Sequence, residues 1–279
     1  MKANLKKLLI RTKKAVFSQQ LGNNTSKIKG EGYDFIELRE YEDGEDIRKI
    51  DWVISAKMQK PYVKVFNTQR ELDINIIPIL TGSTFFGTHI LKKDVITEIC
   101  ATLGYIASAQ GDSYTSFIAN ETATLNTQKT KKLIAVQKMI EKIDNYDPLY
   151  KKANYVNIVK NLHQKIPKKS LLFLIGDFFN CRDLNFKLLS KKHEVIVIIV
   201  RDKFEESPEA LGNINLTDPS TSQYFEGNVN KSLIKNYTKK IKENDHQLYE
   251  QLKQSGVEFI KIYTDDNLTK KLAKLFNSN

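Results

Sequence analysis

The stretch from residue 30 to residue 66 holds the charged side chains best suited to recognise another molecule. It contains Arg39 and Arg48 among a dense set of carboxylates, together with Trp52, the only tryptophan of the chain. The planar guanidinium of arginine forms two parallel hydrogen bonds to one carboxylate, which the ammonium of lysine cannot do. Two interpretations stay open: the arginines pair inside the protein, or outward-facing charges bind a partner. The carboxylates considered for internal pairs are Asp34, Asp46, Asp51 and Glu71.

Patterns typical of catalysis are sparse in the rest of the chain. The four histidines form no His-x-x-x-His metal pattern, and neither a phosphate-binding P-loop nor a G-x-S-x-G nucleophile motif is present. Four acids follow residue 201, but the sequence identifies no partner that would make an acid/base pair, so we expect a charged surface loop. These acids are Asp202, Glu205, Glu206 and Glu209. We therefore predict that the protein is not an enzyme.

The spacing of apolar residues predicts the elements that position these side chains. Residues 35–41, 51–56 and 62–66 predict three short strands of a small sheet. From Asp73 onward, continuous apolar runs, which are typical of strands buried on both faces, alternate with helical patterns. The predicted strands are 73–80, 114–119, 123–126, 171–179, 194–200 and 257–264, and the predicted helices are 92–110, 130–143, 155–166, 182–190, 231–254 and 268–276.

This alternation predicts an α/β fold with a mostly parallel, doubly wound sheet, preceded by a small β-rich lobe. We divide the chain into a basic N-terminal helix with its lead-in (1–29), the lobe (30–72) and an α/β domain (73–279). Ligands of such sheets bind beyond the carboxyl ends of the strands, so loops 81–87 and 176–180 are the places where chemistry is expected.

The composition favours a globular protein in a reducing compartment. The chain has 279 residues, a net charge of +11, and two cysteines without metal-binding spacing. Its lysines are dispersed, as on an ordinary solvated surface, and nucleic-acid binding stays an alternative. Residues 4–20 predict a basic helix packed on the domain, with attachment to a membrane surface as the alternative. No apolar run approaches the roughly 20 residues that cross a bilayer, so we predict a cytoplasmic protein.

The stretch from residue 30 to residue 72 carries many residues at a fixed spacing. They are Gly30, Gly32, Asp34, Phe35, Arg39, Tyr41, Gly44, Asp46, Arg48, Ile50, Asp51, Trp52, Ser55, Ala56, Tyr62, Val63, Lys64, Phe66, Arg70, Glu71 and Leu72. These residues match the pattern G-x-G-x-D/E-F, then R-x-Y-x-x-G-D-D-x-R-x-I-D-W-x-x-S-A-R, then Y-V-K-x-F-x-x-E-R-E-L, from which Glu45 and Lys57 depart. That pattern is approximately the signature of the bacterial family known as domain of unknown function 58, which the stretch therefore resembles.

We assign roles within this stretch from the charge pattern and the resemblance together. The residues expected to contact a partner are Arg39, Glu42, Asp43, Glu45, Asp46, Arg48 and Lys57. The residues expected to support the lobe are Asp34, Asp51, Trp52 and Arg70.

The second part of the family resembles a von Willebrand factor A domain, whose metal site uses D-x-S-x-S after the first strand and an aspartate after the central strand. In this sequence the first slot falls on residues 79–83, so Ile79 stands in place of the leading aspartate. Thr81, Ser83 and Asp177 match other site positions; a middle threonine has no clear counterpart, and Asn154 is the nearest candidate. One carboxylate and two hydroxyls repay little of the dehydration cost of Mg²⁺. We expect a degenerate metal site and no cofactor.

The resemblance implies a non-enzymatic adaptor that works with a MoxR-type AAA+ ATPase in the assembly or maturation of protein complexes. The expected partners are therefore that ATPase and its client complex; no membrane span is expected, and the oligomeric state stays open. A magnesium-dependent protein-binding module and a basic nucleic-acid-binding protein are the two alternatives.

Overall fold

The structure of the protein is a computed structural model that describes residues 12, 34–67, 71–179, 181, 184–210 and 212–277. The chain divides into two units: residues 21–71, which include most of the lobe, and residues 1–20 with 72–279, called the sheet unit below. The helix predicted for residues 4–20 lies outside the described residues except for Thr12, and Arg70 also lies outside them.

The described residues of the lobe form two antiparallel strands and one short helix. β1 (Asp34–Glu40) pairs with β2 (Tyr62–Asn67), and α1 (Trp52–Met58) lies between them in the chain. A single 3-10 turn, Ile47–Lys49, precedes the helix. The two outer strands are confirmed.

The strand predicted for residues 51–56 is wrong, because this segment forms α1. The carboxylate of Asp51 accepts hydrogen bonds from the backbone N–H groups of Val53 and Ile54, both at 3.0 Å. These bonds satisfy two of the N–H groups that have no partner at the start of a helix. The cap thereby outweighs the strand preference of the Trp-Val-Ile sequence, which is a weak and context-dependent signal.

The strands of the sheet unit are β3 (Asp73–Pro78), β4 (Ser113–Ala119), β5 (Ala123–Thr130), β6 (Leu171–Gly176), β7 (Glu194–Arg201), β8 (Gly212–Thr217), β9 (Tyr224–Val229) and β10 (Glu258–Tyr263). Six of them form one sheet in the order β10-β7-β6-β3-β4-β5, with every neighbouring pair parallel except β4 and β5. A separate antiparallel pair, β8 and β9, forms a hairpin. The helices are α2 (Lys92–Gln110), α3 (Leu133–Asn145), α4 (Tyr155–Lys165), α5 (Lys187–Ser190), α6 (Lys203–Glu206), α7 (Lys231–Gln254) and α8 (Leu268–Asn277).

Alternate residues of the central strands pack into two hydrophobic cores, one on each face of the sheet. Along β6, Phe173 and Ile175 belong to the core that includes α2, α3 and α8, whereas Leu172 and Leu174 belong to the core that includes α4 and α7. Both sets must be apolar, which explains the uninterrupted hydrophobic runs of the sequence. The prediction of a mostly parallel α/β sheet flanked by helices is confirmed.

Candidate functional site

The parallel strands β3, β6 and β7 end at one edge of the sheet and bring their following loops together. The Thr81 and Ser83 hydroxyls, which follow β3, lie 2.9 Å apart. Ser83 also forms a hydrogen bond with the carboxylate of Asp177, which follows β6. The fold therefore brings together the three residues that the sequence placed in a degenerate metal site. Asn154 instead accepts a hydrogen bond from the Asn157 N–H as the N-cap of α4.

A lysine that sequence reasoning did not select occupies the centre of this cluster. Lys92, the first residue of α2, is fully buried, and its Nζ donates to Asp177 Oδ2 at 3.0 Å. The same ammonium also donates to Glu205 of α6. It lies 5.8 Å from the ring centroids of both Phe86 and Phe179. One buried cation is thus shared by two carboxylates that arrive from different elements.

The two carboxylates respond differently to this environment. Burial acts to raise the pKa of Asp177, but the positive charges of Lys92 and Arg201, with hydrogen bonds from Ser83 and Lys92, hold it below its ordinary value. Burial raises the pKa of Glu205, and the Asp177 charge adds to this effect against the attraction of Lys92. Asp177 is therefore the principal counter-ion of the lysine.

The backbone beside Asp177 adopts an uncommon conformation. Phe178 has a φ of 49°, a left-handed value that is unfavourable for a bulky residue. Its buried ring stacks on Tyr155, with centroids 5.8 Å apart, and meets the edge of Phe186. This packing fixes the sharp turn after β6 and with it the direction of the Asp177 side chain.

The donor set does not fit a divalent cation. Ile79, which stands where the metal-binding pattern has an aspartate, is buried in the hydrophobic core that contains Phe178. Asp177 and Glu205 already share the ammonium of Lys92. Within the described residues, no group of three or more histidine, cysteine or acidic side chains is arranged to hold a metal ion. A cation entering here would have to displace a buried lysine.

A second set of buried charges continues from this cluster along the same edge. Arg201, at the end of β7, is buried, and its Nη2 donates to Asp245 Oδ1 of α7 at 2.9 Å. Asp245 also accepts a hydrogen bond at 2.9 Å from Lys261 of β10, and Lys261 pairs with Glu206. The guanidinium lies over the Phe179 ring, 4.6 Å from its centroid. These contacts tie β7, β10, α6 and α7 together.

Asp202 joins three loops at this edge through hydrogen bonds to its carboxylate. It accepts from the N–H and hydroxyl of Thr88 at 2.9 and 2.7 Å, from the Thr264 hydroxyl at 2.8 Å and from the Phe204 N–H at 2.9 Å. Burial acts to raise its pKa, but these hydrogen bonds hold the pKa below its ordinary value. Asp202 and Glu205 are thus buried or nearly so, and the expectation of a charged surface loop for these two acids is wrong.

Two sequence signals pointed to these missed residues. The Asp202-x-x-Glu205 spacing is that of a capping box, which the structure contains at the start of α6. Lys92 and Lys93 are the first two residues of α2, where a positive charge is unfavourable because of the helix dipole. Such ammonium groups need hydrogen-bond acceptors from other elements. Lys93 donates to the backbone carbonyls of Asp144 and Tyr146, both at 2.6 Å.

The charged residues of the lobe divide into paired and exposed sets. Arg39 forms a two-pronged ion pair with Glu45, which lowers the pKa of Glu45, and the Asp51 cap pairs with Lys64. Asp46 caps the 3-10 turn by accepting from the Arg48 N–H at 3.1 Å. Apart from the half-buried Arg39 and Glu45, the residues predicted to contact a partner have exposed side chains; these are Glu42, Asp43, Asp46, Arg48 and Lys57. Asp34 lies in β1 opposite Asn67.

Large apolar side chains of the lobe also lie at the surface. Trp52, to which the sequence assigned a supporting role, is 66% exposed, and the adjacent Val53 is 69% exposed. Ile47 and Met58 are exposed as well. Contiguous exposed apolar residues among charges are typical of surfaces that bind proteins or membranes.

Comparison with known proteins gives a family match over residues 37–247, to the family described as "Protein of unknown function DUF58". Uncharacterized proteins of Mycobacterium tuberculosis and Mycobacterium bovis are 21% identical over 251 residues, covering 88% of this chain and 78% of theirs. These relatives support the resemblance that the signature residues suggested, and they carry no described activity.

Solved structures that are similar to this chain include three that come from Bacteroides and Vibrio species. The conserved hypothetical protein BatB from Bacteroides thetaiotaomicron has 10% identity and a TM-score of 0.48, covering 74% of this chain and 98% of that one. An aerotolerance-related membrane protein from Bacteroides fragilis has 10% identity and a TM-score of 0.46, covering 74% and 97%. An uncharacterized membrane spanning protein from Vibrio fischeri has 11% identity and a TM-score of 0.26, covering 75% and 97%.

The prediction of a cytoplasmic protein with no membrane span is contradicted by this comparison, because two of these structures are described as membrane proteins. Their descriptions apply to those proteins. In the part of this chain that the structure describes, no helix combines the length and apolar character needed to cross a bilayer.

Proposed function

We propose a function for this chain, which belongs to the DUF58 family of proteins of unknown function. The protein is a non-enzymatic adaptor that binds a protein partner through its lobe. The observation that carries the proposal is the exposure of Trp52 and Val53 at the start of α1. A buried tryptophan would support packing, whereas an exposed one leaves a large apolar surface in water until a partner covers it.

The residues around Trp52 match the composition of binding hot spots. Tryptophan and arginine dominate such sites, and charged groups at the rim exclude water and set partner choice. Arg48 and Lys57 flank the apolar residues in the chain, and Glu42 and Asp43 supply opposite charge from the preceding turn. The lobe surface defined by Glu42, Asp43, Ile47, Arg48, Trp52, Val53, Lys57 and Met58 is therefore the proposed docking surface.

The finer parts of the proposal come from the family resemblance. We propose that the sheet unit is a von Willebrand factor A-like domain. We also propose that the partner of the lobe is a MoxR-type AAA+ ATPase, and that the adaptor directs this ATPase to a client complex. The buried Lys92 between Asp177 and Glu205 supports docking that does not depend on magnesium.

Replacement of Trp52 tests the docking surface directly. We expect Trp52→Ala to weaken recovery of a AAA+ ATPase from native cells by about tenfold or more, because loss of a hot-spot side chain costs about 2 kcal/mol or more. Asp43→Lys is expected to weaken the same interaction, and Asp43 has no capping role that the change would disturb. The measurement is quantitative co-purification with the full-length chain.

Tyr224→Ala is the matched control, since Tyr224 is a 60% exposed aromatic residue of the sheet unit. It should leave co-purification unchanged, and all three variants should retain the wild-type unfolding midpoint because their side chains are exposed. The proposal fails if no AAA+ ATPase is enriched with the wild-type chain, or if Trp52→Ala and Asp43→Lys both retain the interaction.

A further inference from the structure

A groove on the sheet unit lies between α4 and α5, and its volume is about 650 Å³. Its apolar surface comes from Val156 and Val159 of α4 and from Leu184 and Leu188 near α5. Val159 and Leu184 are buried, whereas Val156 and Leu188 are 44% and 40% exposed. The groove therefore has a floor of buried apolar side chains and exposed apolar side chains at its edge.

The local sequence explains why apolar side chains face the groove. Val156, Val159 and Lys160 follow helical spacing, so they share one face of α4. The opposite face of this helix carries Ile158 and Leu162 into the core beneath the sheet. Apolar residues therefore cover a wider part of the circumference of α4 than the part that packs into the core.

Three lysines line the groove together with this apolar surface. Lys160, Lys187 and Lys191 are all exposed, and none of them forms an ion pair within the described part of the chain. None of the described residues that line the groove is acidic. Among the described residues, the groove therefore combines an apolar floor with a positive rim.

We propose that this groove binds an acidic, amphipathic helical segment of a partner protein. The apolar face of such a segment would cover Val156 and Leu188, and its carboxylates would meet Lys160, Lys187 and Lys191. A concave groove with a buried floor suits an inserted peptide, whereas a membrane surface is met by flat or protruding apolar residues. The site goes beyond the proposed function of the lobe, because only sheet-unit residues line it.

Selection from a peptide library tests the proposal without prior choice of a ligand. The full-length chain is used to select random peptides of about 16 residues, roughly four helical turns. We expect enrichment of sequences with Asp or Glu and with bulky apolar residues at i, i+3, i+4 or i+7. Selected peptides are then synthesised, and their affinity is measured by fluorescence anisotropy.

Two groove variants and two matched controls assign the binding site. We expect Lys187→Glu with Lys191→Glu to weaken peptide binding by about tenfold or more, with the largest effect at low salt. Val156→Ser with Leu188→Ser should weaken it similarly through lost apolar contact. Lys168→Glu with Lys169→Glu, two exposed lysines outside the groove, should leave affinity unchanged. Leu216→Ser on β8, at a site 47% exposed, should also leave it unchanged.

The proposal is overturned if selected peptides lack acidic residues, if no peptide is selected, or if both groove variants bind the peptides as wild type does. Binding to vesicles with about 30% anionic lipid that the same variants abolish, with no peptide selected, would instead assign the groove to a membrane surface. Self-association lost in the variants would assign it to a second copy of the chain. Trp52→Ala should not change peptide binding, so failure here is separable from failure of the lobe proposal.

Discussion

Lys92 decides the chemistry of the sheet edge at the scale of single residues. Its ammonium is fully buried and bonded to Asp177 and Glu205, so the positive charge that a cation would supply comes from the chain itself. Removing one member of a buried ion pair costs about 3–5 kcal/mol, because the remaining charge is left without compensation. The lysine is therefore a structural tie, and it occupies the position between the two carboxylates that a cation would take.

Replacement of Lys92 should turn this cluster into a metal site. Lys92→Ala leaves two carboxylates and the Thr81 and Ser83 hydroxyls around a vacated position, a set of hard oxygen donors that Mg²⁺ or Mn²⁺ prefers. We expect the variant to be less stable by about 3–5 kcal/mol and to regain part of that stability in millimolar Mg²⁺ or Mn²⁺. Calorimetric unfolding with and without metal measures both effects.

The wild-type chain should show no change of unfolding temperature with either metal, and Lys92→Ala combined with Asp177→Ala should lose the response of the single variant. A metal response of the wild-type chain, or an unresponsive Lys92→Ala, would contradict this account of the site.

At the scale of elements, the β8–β9 hairpin approaches the loop after β3 very closely. The carbonyl of Pro219, at the hairpin turn, accepts a hydrogen bond from the Tyr150 N–H at 2.8 Å. A Cβ atom added to Gly82 would lie 2.1 Å from the same carbonyl oxygen. Glycine is therefore required at position 82 for the turn to sit against the loop that carries Thr81 and Ser83.

Gly82→Ala should displace the hairpin turn. We expect a loss of about 1–3 kcal/mol in the free energy of unfolding, since the new methyl group meets backbone rather than a movable side chain. Denaturant unfolding measures the loss, and faster proteolytic cleavage between residues 217 and 224 would report the displaced turn. Gly82 does not have a positive φ, so left-handed backbone strain does not contribute to the expected loss. A free energy of unfolding equal to that of the wild-type chain would argue against the close approach.

At the scale of the whole molecule, stability rests on carboxylates placed in a strongly basic chain. The net charge is +11 at pH 7, and each carboxylate that is protonated adds to this positive charge and to the repulsion within the fold. Asp177 and Asp202 have pKa values below their ordinary range, whereas the pKa of Glu205 is raised. The loss of folding stability at low pH should therefore come mainly from protonation of these two aspartates.

The pH dependence follows from the sign of these shifts. Groups with lowered pKa stabilise the folded state above the ordinary aspartate pKa, about 3.9, and this stabilisation is lost as the pH falls through their folded values. Glu205 acts in the opposite sense, since its raised pKa favours the folded state on mild acidification. We expect little loss between about pH 7 and pH 5 and a steep loss below about pH 4.

Asp202→Asn should isolate the contribution of the Asp202 carboxylate to the free energy of unfolding. An amide offers one acceptor oxygen in place of two, so at pH 7 we expect a loss of about 2–3 kcal/mol in unfolding free energy. That difference should shrink as the pH falls through the lowered pKa of the wild-type carboxylate, because the carboxylate then becomes protonated and neutral like the amide. Urea unfolding at a series of pH values measures it. A difference that is constant with pH would contradict the role assigned to this carboxylate.

Regular elements of the sheet unit follow closely from sequence periodicity. α2 and α7 have the predicted bounds, because long helical patterns ending near Gly111 and Gly256 leave little ambiguity. The short segment at α1 was misassigned, since its first three residues, Trp-Val-Ile, favour a strand whereas the Asp51 cap starts a helix. Lys92 and Arg201 escaped notice because a charge in a basic chain does not reveal whether it is buried.

By itself, the sequence determined the α/β class, the alternation of strands and helices from residue 73 onward, and the place of loops 81–87 and 176–180 at one sheet edge, because periodicity and strand ends are local properties. The family resemblance then selected Thr81, Ser83 and Asp177 within these loops. Only the tertiary structure decided that Lys92 lies between two carboxylates, that Asp202 is buried and that Trp52 is exposed. Burial and ion pairing depend on which distant elements meet, and that information is spread over residues more than 80 positions apart, as from Lys92 to Asp177.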